Sequence, residues 1–367
     1  MSISTGSLTL LTAAVTCFGV PCLAQPVSPA AAQKSAASAP SAPSGHGAAP
    51  SGHGAAPAAP TPLVGLRHPD ERHLGNLRQL TFGGENAEAY FSFDGARLSL
   101  QSTTAQDKCD QIYVLPLPTT GDANPPSLQP VSMGHGRHTC SYFTPAGDRL
   151  LFSSTRHLGD ACPPPVDRSK GYVWPLYNYQ IYTARPDGSD AKRLVSSGNY
   201  DAEATVCKDG SVVFTSDRDG DLELYRMKLD GSGLVRLTNA PGYDGGAFFS
   251  EDCKHLVWRA ARPRSPEEQA EMKALLGQHL VRPTRMELWV GDADGKNAHA
   301  VTDFGMASFA PFYFPAKIAG APNRRIIYAS NYGDPRGREF DLWAINSDGS
   351  QLERITHTAD FDGFPMF

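Results

Sequence analysis

The sequence predicts an all-β fold: a six-bladed β-propeller of four-stranded antiparallel blades with the last blade incomplete. Three observations carry this expectation. One stretch, Tyr200 to Thr238, reads as four short strands joined by three turns. Its marks recur along most of the chain. The composition, with Gly 35, Pro 30 and 40% hydrophobic residues, suits turn-rich β structure and argues against long helices.

Within that stretch, Ala202–Cys207 leads into the turn Lys208-Asp209-Gly210 and then the β-branched run Ser211–Ser216, a hairpin pattern. Asp217–Gly220 turns again and Leu222–Tyr225 alternates as a third strand. Asp230-Gly231 turns a third time, and Leu234–Thr238 closes a fourth strand. A four-stranded sheet has two faces to bury and cannot do so alone, so the pattern must repeat. The third-strand aromatic returns as Tyr113, Tyr182, Tyr225, Trp289 and Trp343, and the last turn as Asp187-Gly188, Asp230-Gly231, Asp294-Gly295 and Asp348-Gly349. Fourth-strand ends recur at Leu80-Thr81, Val131-Ser132, Leu194-Val195, Leu237-Thr238, Val301-Thr302 and Ile355-Thr356. Their spacings of 51, 63, 43, 64 and 54 describe a unit of about 43 residues with insertions. Radially repeated sheets of this size are propeller blades.

The formal charge of −5 and the pI near 6.1 give no reason to expect nucleic acid, and no basic stripe stands out. Leu8 to Val20 is apolar, too short to span a bilayer but right for a signal-peptide core, and Cys22-Leu23-Ala24 offers small residues for cleavage. Residues 1–24 are therefore read as a signal peptide, although no Lys or Arg precedes the apolar core. Neither Thr16 nor Pro21 suits a lipoprotein cysteine. Residues 25–62, almost all Ala, Pro, Ser and Gly with the heptad SGHGAAP given twice, read as a disordered linker, and 63–367 as the propeller. Such a protein is periplasmic or secreted, with no transmembrane segment in the mature chain.

Anchoring the copies on the first strand gives a polar column at Asn86, His138, Asp201, Asp244, Ser308 and Asp362. Two residues on lie Glu88, Cys140, Glu203, Gly246, Ala310 and Phe364, with small residues between and beyond. Blades converge toward the axis, so this strand is assigned to the channel wall. Two insertions fall between second and third strands: Arg156 to Pro175, and Arg259 to Arg285 with the capping box Ser265-Pro266-Glu267-Glu268 and a short helix over 269–278. Both connections lie at the end where the inner strands start, which marks that end as the binding face.

The recurring Leu-Thr, inner strand, Ser-x-Asp-Gly (Ser92-Phe93-Asp94-Gly95, degraded to Ser250-Glu251-Asp252-Cys253), Phe-x-Ser and Asp-Gly resemble the TolB-like, WD40-like β-propeller repeat from about Leu77 onward. The resemblance implies a six-bladed periplasmic propeller that engages partners of the cell envelope. It also implies that an α/β domain precedes the propeller, where this chain has the linker and the short segment 63–76. Phe367 aligns with Val206 and Phe249 inside an inner strand, so on this pattern two further strands, about 25 residues, are lacking from the sixth blade. Arg78–Thr81 is expected as its outer strand.

Two readings of the polar column compete. Asn86, His138, Asp201, Asp244 and Asp362, with Glu88 and Glu203, could gather at the channel mouth around a ligand or a divalent cation. Alternatively, the strand-start side chains cap exposed amides. Asp217–Asp221 lacks the spacing of a calcium loop. Five cysteines survive signal removal, an odd number, and Cys109, Cys140 and Cys162 are expected to give one disulfide and a leftover thiol. Tyr172, Trp174, Tyr177 and Tyr179 either form a sugar or peptide platform or anchor the first insertion. No Gly-x-Ser-x-Gly, His-Glu-x-x-His or phosphate-binding loop is present. The reading is thus a monomeric, exported, non-catalytic binding scaffold that recognises an envelope or secreted protein on its loop-bearing end and needs no cofactor. The alternative is a metal-dependent lyase or hydrolase at the channel mouth.

Overall fold

The computed structural model describes Leu11–Ala14 as backbone, and residues 67–118, 127–132, 134–167, 169, 171–318 and 324–367 in full. Residues 1–24 and 25–62, read as signal peptide and linker, otherwise lie outside the described residues. Five four-stranded antiparallel sheets follow one another. The first joins Glu85–Phe91, Arg97–Thr103, Gln111–Pro116 and Gln129–Pro130. The second joins His138–Phe143, Leu150–Ser154, Gln180–Ala184 and Lys192–Val195. The third joins Asp201–Val206, Ser211–Ser216, Glu223–Lys228 and Val235–Arg236. The fourth joins Tyr243–Phe249, His255–Ala261, Glu287–Asp292 and His299–Ala300. The fifth joins Ser308–Tyr313, Arg325–Ser330, Asp341–Asn346 and Glu353–Arg354.

The expectation of six blades is corrected to five complete ones among the described residues. Of a sixth, only the inner strand Asp362–Met366 is formed, and it pairs antiparallel with Leu11–Ala14, inside the stretch read as a signal peptide. Arg78–Thr81 takes no strand conformation. An outer strand needs a third strand to pair with, and the described residues include none there.

The middle strands are buried along nearly their whole length, because a blade has neighbours on both faces, with Phe214, Tyr328, Trp258 and Phe143 fully enclosed. The turn glycines before the outer strands make this close packing possible. Gly188 and Gly295 have φ of 82° and 84°, and a side chain on either would collide with the carbonyl of Val131 or Leu237 at the outer edge of the preceding blade. A disulfide between Cys207 and Cys253 joins the first turns of blades three and four. Cys253 occupies the place that Gly95 and Gly210 hold elsewhere and keeps their left-handed backbone, φ 60°.

Both insertions lie at the end where inner strands begin. The helix Pro266–Leu276 starts at Ser265, whose hydroxyl accepts the Glu268 amide, as the capping box requires. Its two-residue strand Leu280–Val281 pairs with Trp174–Pro175 of the first insertion. The two insertions are thereby one structure. A second disulfide, Cys109–Cys162, ties it to blade one and leaves Cys140 as the free thiol among the described cysteines.

Candidate axial site

The inner strands do not alternate regularly. Counting the column residue as the first, the pairing with the second strand slips after the second residue in the five complete blades, between Ala87 and Tyr90, Thr139 and Tyr142, Ala202 and Thr205, Gly245 and Phe248, and Phe309 and Phe312. The third residue carries the slip in a left-handed conformation: Glu88 (φ 51°), Cys140 (52°), Glu203 (61°), Gly246 (60°) and Ala310 (48°), with Phe364 (52°) matching them in the sixth inner strand. A left-handed residue in a strand is a bulge, and it re-aims the side chains on either side of it.

This separates the two polar columns. The strand-start residues turn away from the axis. Asp201 is buried and accepts from the Arg218 guanidinium at 2.7 Å, the Ser216 hydroxyl at 2.7 Å and the Ser197 amide at 2.8 Å. Asp244, also buried, accepts from one terminal nitrogen of Arg262 on both its oxygens, at 2.7 and 2.8 Å, and from the indole N–H of Trp258 at 2.7 Å. Ser102 donates to Asn86 at 2.9 Å, and Ser308 meets Ser330 at 3.0 Å. Burial pushes His138 down to about 3, so it is neutral, and its Nε2 donates to the His135 carbonyl. Asp362 has the Thr358 hydroxyl in place of an arginine, and burial pushes its carboxyl up to about 6. Of this column, Asp201 alone among the described bonds accepts a backbone amide as the capping reading expects; Asn86, Asp244, Ser308 and Asp362 bond side chains, His138 bonds a carbonyl, and none of the six lines the axial chamber.

The third residues do converge. Glu88, Cys140 and Glu203 surround a chamber of about 20 Å³ with Gly246, Ala310 and Phe364 completing the ring. That is room for one water molecule or a group of its size. Its floor is aromatic. Two residues beyond four of the six left-handed positions stand Tyr90, Tyr142, Phe248 and Phe312, whose rings meet at 5.5 Å (Tyr90 and Tyr142), 5.6 Å (Tyr90 and Phe248) and 5.4 Å (Phe248 and Phe312), while Thr205 and Met366 hold the other two places. The expected wall of small side chains is thus interrupted by a plug of rings.

Arg259 is the site residue that sequence reasoning missed. It sits on the second strand of blade four, paired with Gly245, and forms a buried ion pair with Glu203. Its guanidinium also donates to the Tyr243 hydroxyl at 2.7 Å. Burial works against its charge, but Glu203 and Tyr243 outweigh it and hold the guanidinium above its ordinary value. The readable signal was Gly245-Gly246 in an otherwise fully buried strand. A side chain on Gly246 would collide with Arg259, and one on Gly245 with Tyr243 and Glu203. Glu203 is further held by the Thr215 hydroxyl at 2.7 Å and the Gly246 amide at 2.8 Å.

Glu88 is held by much less. Its Oε2 is buried without a hydrogen-bond partner. Burial pushes the carboxyl up to about 7, with Glu203 and Asp110 adding to the effect and Cys140 and Arg259 opposing it. Burial, Glu88 and Glu203 together raise the Cys140 thiol. The Arg259 Nε is likewise buried without an acceptor. From the insertion-bearing end, the Trp174 ring lies 5.3 Å from the Arg259 guanidinium.

The other sequence candidates have structural partners. Within Asp217–Asp221, Asp217 accepts the Tyr200 amide, Asp219 the Tyr225 hydroxyl and Asp221 the Gly242 amide. Tyr179 is buried against Tyr200, Tyr177 contacts Tyr179 edge-on, and Tyr172 alone of the four aromatics is largely exposed. Among the described residues the one trio with metal-ligand spacing is Cys207, Asp209 and Cys253, and its cysteines are joined to each other. No described helix is long and apolar enough to cross a membrane.

No protein-family model matches the chain, and no curated protein matches it. Solved structures do. TolB from Acinetobacter baumannii superposes with a TM-score of 0.52 at 17% identity, covering 77% of this chain and 57% of its own. A putative TolB from Agrobacterium tumefaciens gives 0.52 at 17%, covering 76% and 83%. Hydrazine synthase from Kuenenia stuttgartiensis gives 0.53 at 12%, covering 77% and 40%. This chain spans little more than half of the first of these proteins. At such identities the likeness is one of fold, and the fold it identifies is a β-propeller of the TolB-like kind.

Proposed function

We propose that the protein is an exported, non-catalytic binding propeller, with its recognition face at the insertion-bearing end and a protein of the cell envelope as its partner. One observation carries this reading. Two insertions from different blades pair in a single ribbon, pinned by the Cys109–Cys162 disulfide, and so build a braced surface. Tyr172 and Leu158 stand exposed on it, 58% and 65%. The two disulfides suit an oxidising compartment. The rival reading, a metal-dependent lyase or hydrolase, is less well supported because Asp201 and Asp244 are already engaged by arginines. A count of six blades belongs to this proposal too: Asp362–Met366 carries the strand-start acid and the left-handed third residue of an inner strand.

The test is capture of an envelope protein on the immobilised wild-type chain, followed by titration of that purified protein. Replacing Leu158→Ser and Tyr172→Ser together is expected to weaken binding at least about tenfold while the melting temperature stays unchanged. Unchanged affinity would move the recognition face elsewhere. Stoichiometric Mn, Ca or Zn, lost on replacing Asp201 and His138, would favour the enzyme.

A further inference from the structure

We infer that the axial chamber is a socket for one primary ammonium group, the head of a lysine side chain on the partner. This rests on the recognition reading above and names the chemistry at the centre of that face.

Four observations select the guest. The first is size: about 20 Å³ is room for a water-sized head such as a primary ammonium. The second is charge. Glu203 and Arg259 neutralise each other, so an ionised Glu88 leaves the chamber one negative charge in excess. The third is the buried Glu88 Oε2, which lacks a donor and would gain one from an ammonium N–H. The fourth is the floor, where Tyr90 and Phe248 present aromatic rings, a surface that favours cations over anions. An anion would instead face both carboxylates. A neutral hydroxyl could answer Glu88 and the unpaired Arg259 Nε together but would leave the excess charge uncompensated. A lysine stem is apolar enough to run past Trp174, whose ring lies 5.3 Å from the Arg259 guanidinium, while its head sits in the chamber.

Seating the cation requires Glu88 to be ionised, so binding releases the proton that the empty chamber holds on that carboxyl. The groups facing Glu88 are Cys140 from blade two, Glu203 from blade three, Arg259 from blade four, and Asp110 and Tyr90 from its own blade. With Glu88 near 7, affinity should rise about tenfold between pH 6 and pH 8.

The experiment titrates the full chain with n-butylammonium, a lysine side-chain mimic, by calorimetry in two buffers of different ionisation enthalpy. Saturable binding is expected, stronger at pH 8 than at pH 6, with a fraction of a proton released at pH 7. It should be lost in Glu88→Gln and should not occur with n-butanol or butyltrimethylammonium. The melting temperature of Glu88→Gln should match or exceed that of the wild-type chain, so that lost binding is not lost folding. Absence of butylammonium binding, equal binding of butanol, or binding retained in Glu88→Gln would each overturn the socket. Partner capture that survives Glu88→Gln but fails in the Leu158 and Tyr172 variant would overturn the socket while leaving the recognition face standing.

Discussion

Two sets of residues, two positions apart on the same inner strands, have opposite fates. Asp201 and Asp244 start their strands and end up buried in ion pairs with Arg218 and Arg262. Glu88, Cys140 and Glu203 stand two residues further along and face the axis. In a regular strand, residues i and i+2 share a face. The left-handed third residue breaks that rule in all six inner strands. The lesson is that propeller geometry here assigns strand-start acids to holding the blades and bulge residues to the axis, and substitutions can separate the two.

The largest effect is expected from Asp244→Ala. It strands the indole N–H of Trp258 and removes the carboxylate partner of Arg262, at a cost of about 3 kcal/mol. Urea unfolding measures it, and the axial chamber should be unchanged. Replacing Cys109 and Cys162 by serine frees a 53-residue separation. Losing a disulfide typically costs about 2–4 kcal/mol, read as a lowered melting temperature and faster proteolysis within the first insertion. Gly246→Ala attacks the axis directly. It strains a φ of 60° and pushes against Arg259, for about 2 kcal/mol.

Glu88→Gln should be smaller and opposite in sign at high pH. The folded carboxyl lies near 7, above its ordinary 4.5. The native state therefore binds more protons than the unfolded chain between those values, and stability falls as pH rises through that window. Gln removes the loss, so the variant should gain stability over wild type at pH 8 and almost nothing at pH 4. Tyr172→Ser, exposed on the ribbon, should stay within about 0.5 kcal/mol of wild type.

The repeat was legible because hairpin turns and alternation are local, and five blades follow the marks that the sequence shows. The insertion helix was legible for the same reason, since Ser265-Pro266-Glu267-Glu268 caps a helix wherever it lies. The site was only half legible. Strand alternation put Asp201 and Glu203 on one face, and nothing in six residues announces that the third is left-handed. Glu88 and Glu203 were found, but for a column that turned out to be two. Arg259 was out of reach as a site residue because its partner, Glu203, is 56 residues away on another blade. Gly245-Gly246 hinted at a close approach without saying by what. The aromatic plug was missed because apolar residues on an inner strand read as packing, and only the axis brings Tyr90, Tyr142 and Phe248 together.

A carbon-13 NMR titration of the Glu88 side-chain carboxyl tests the division of roles most directly. A midpoint near 7 that falls when Gly246→Ala disturbs the ring, and stays in Asp244→Ala, is the expected result. A midpoint near the ordinary 4.5 in the wild-type chain would mean that Glu88 stands in water and that the bulges do not close an axial chamber.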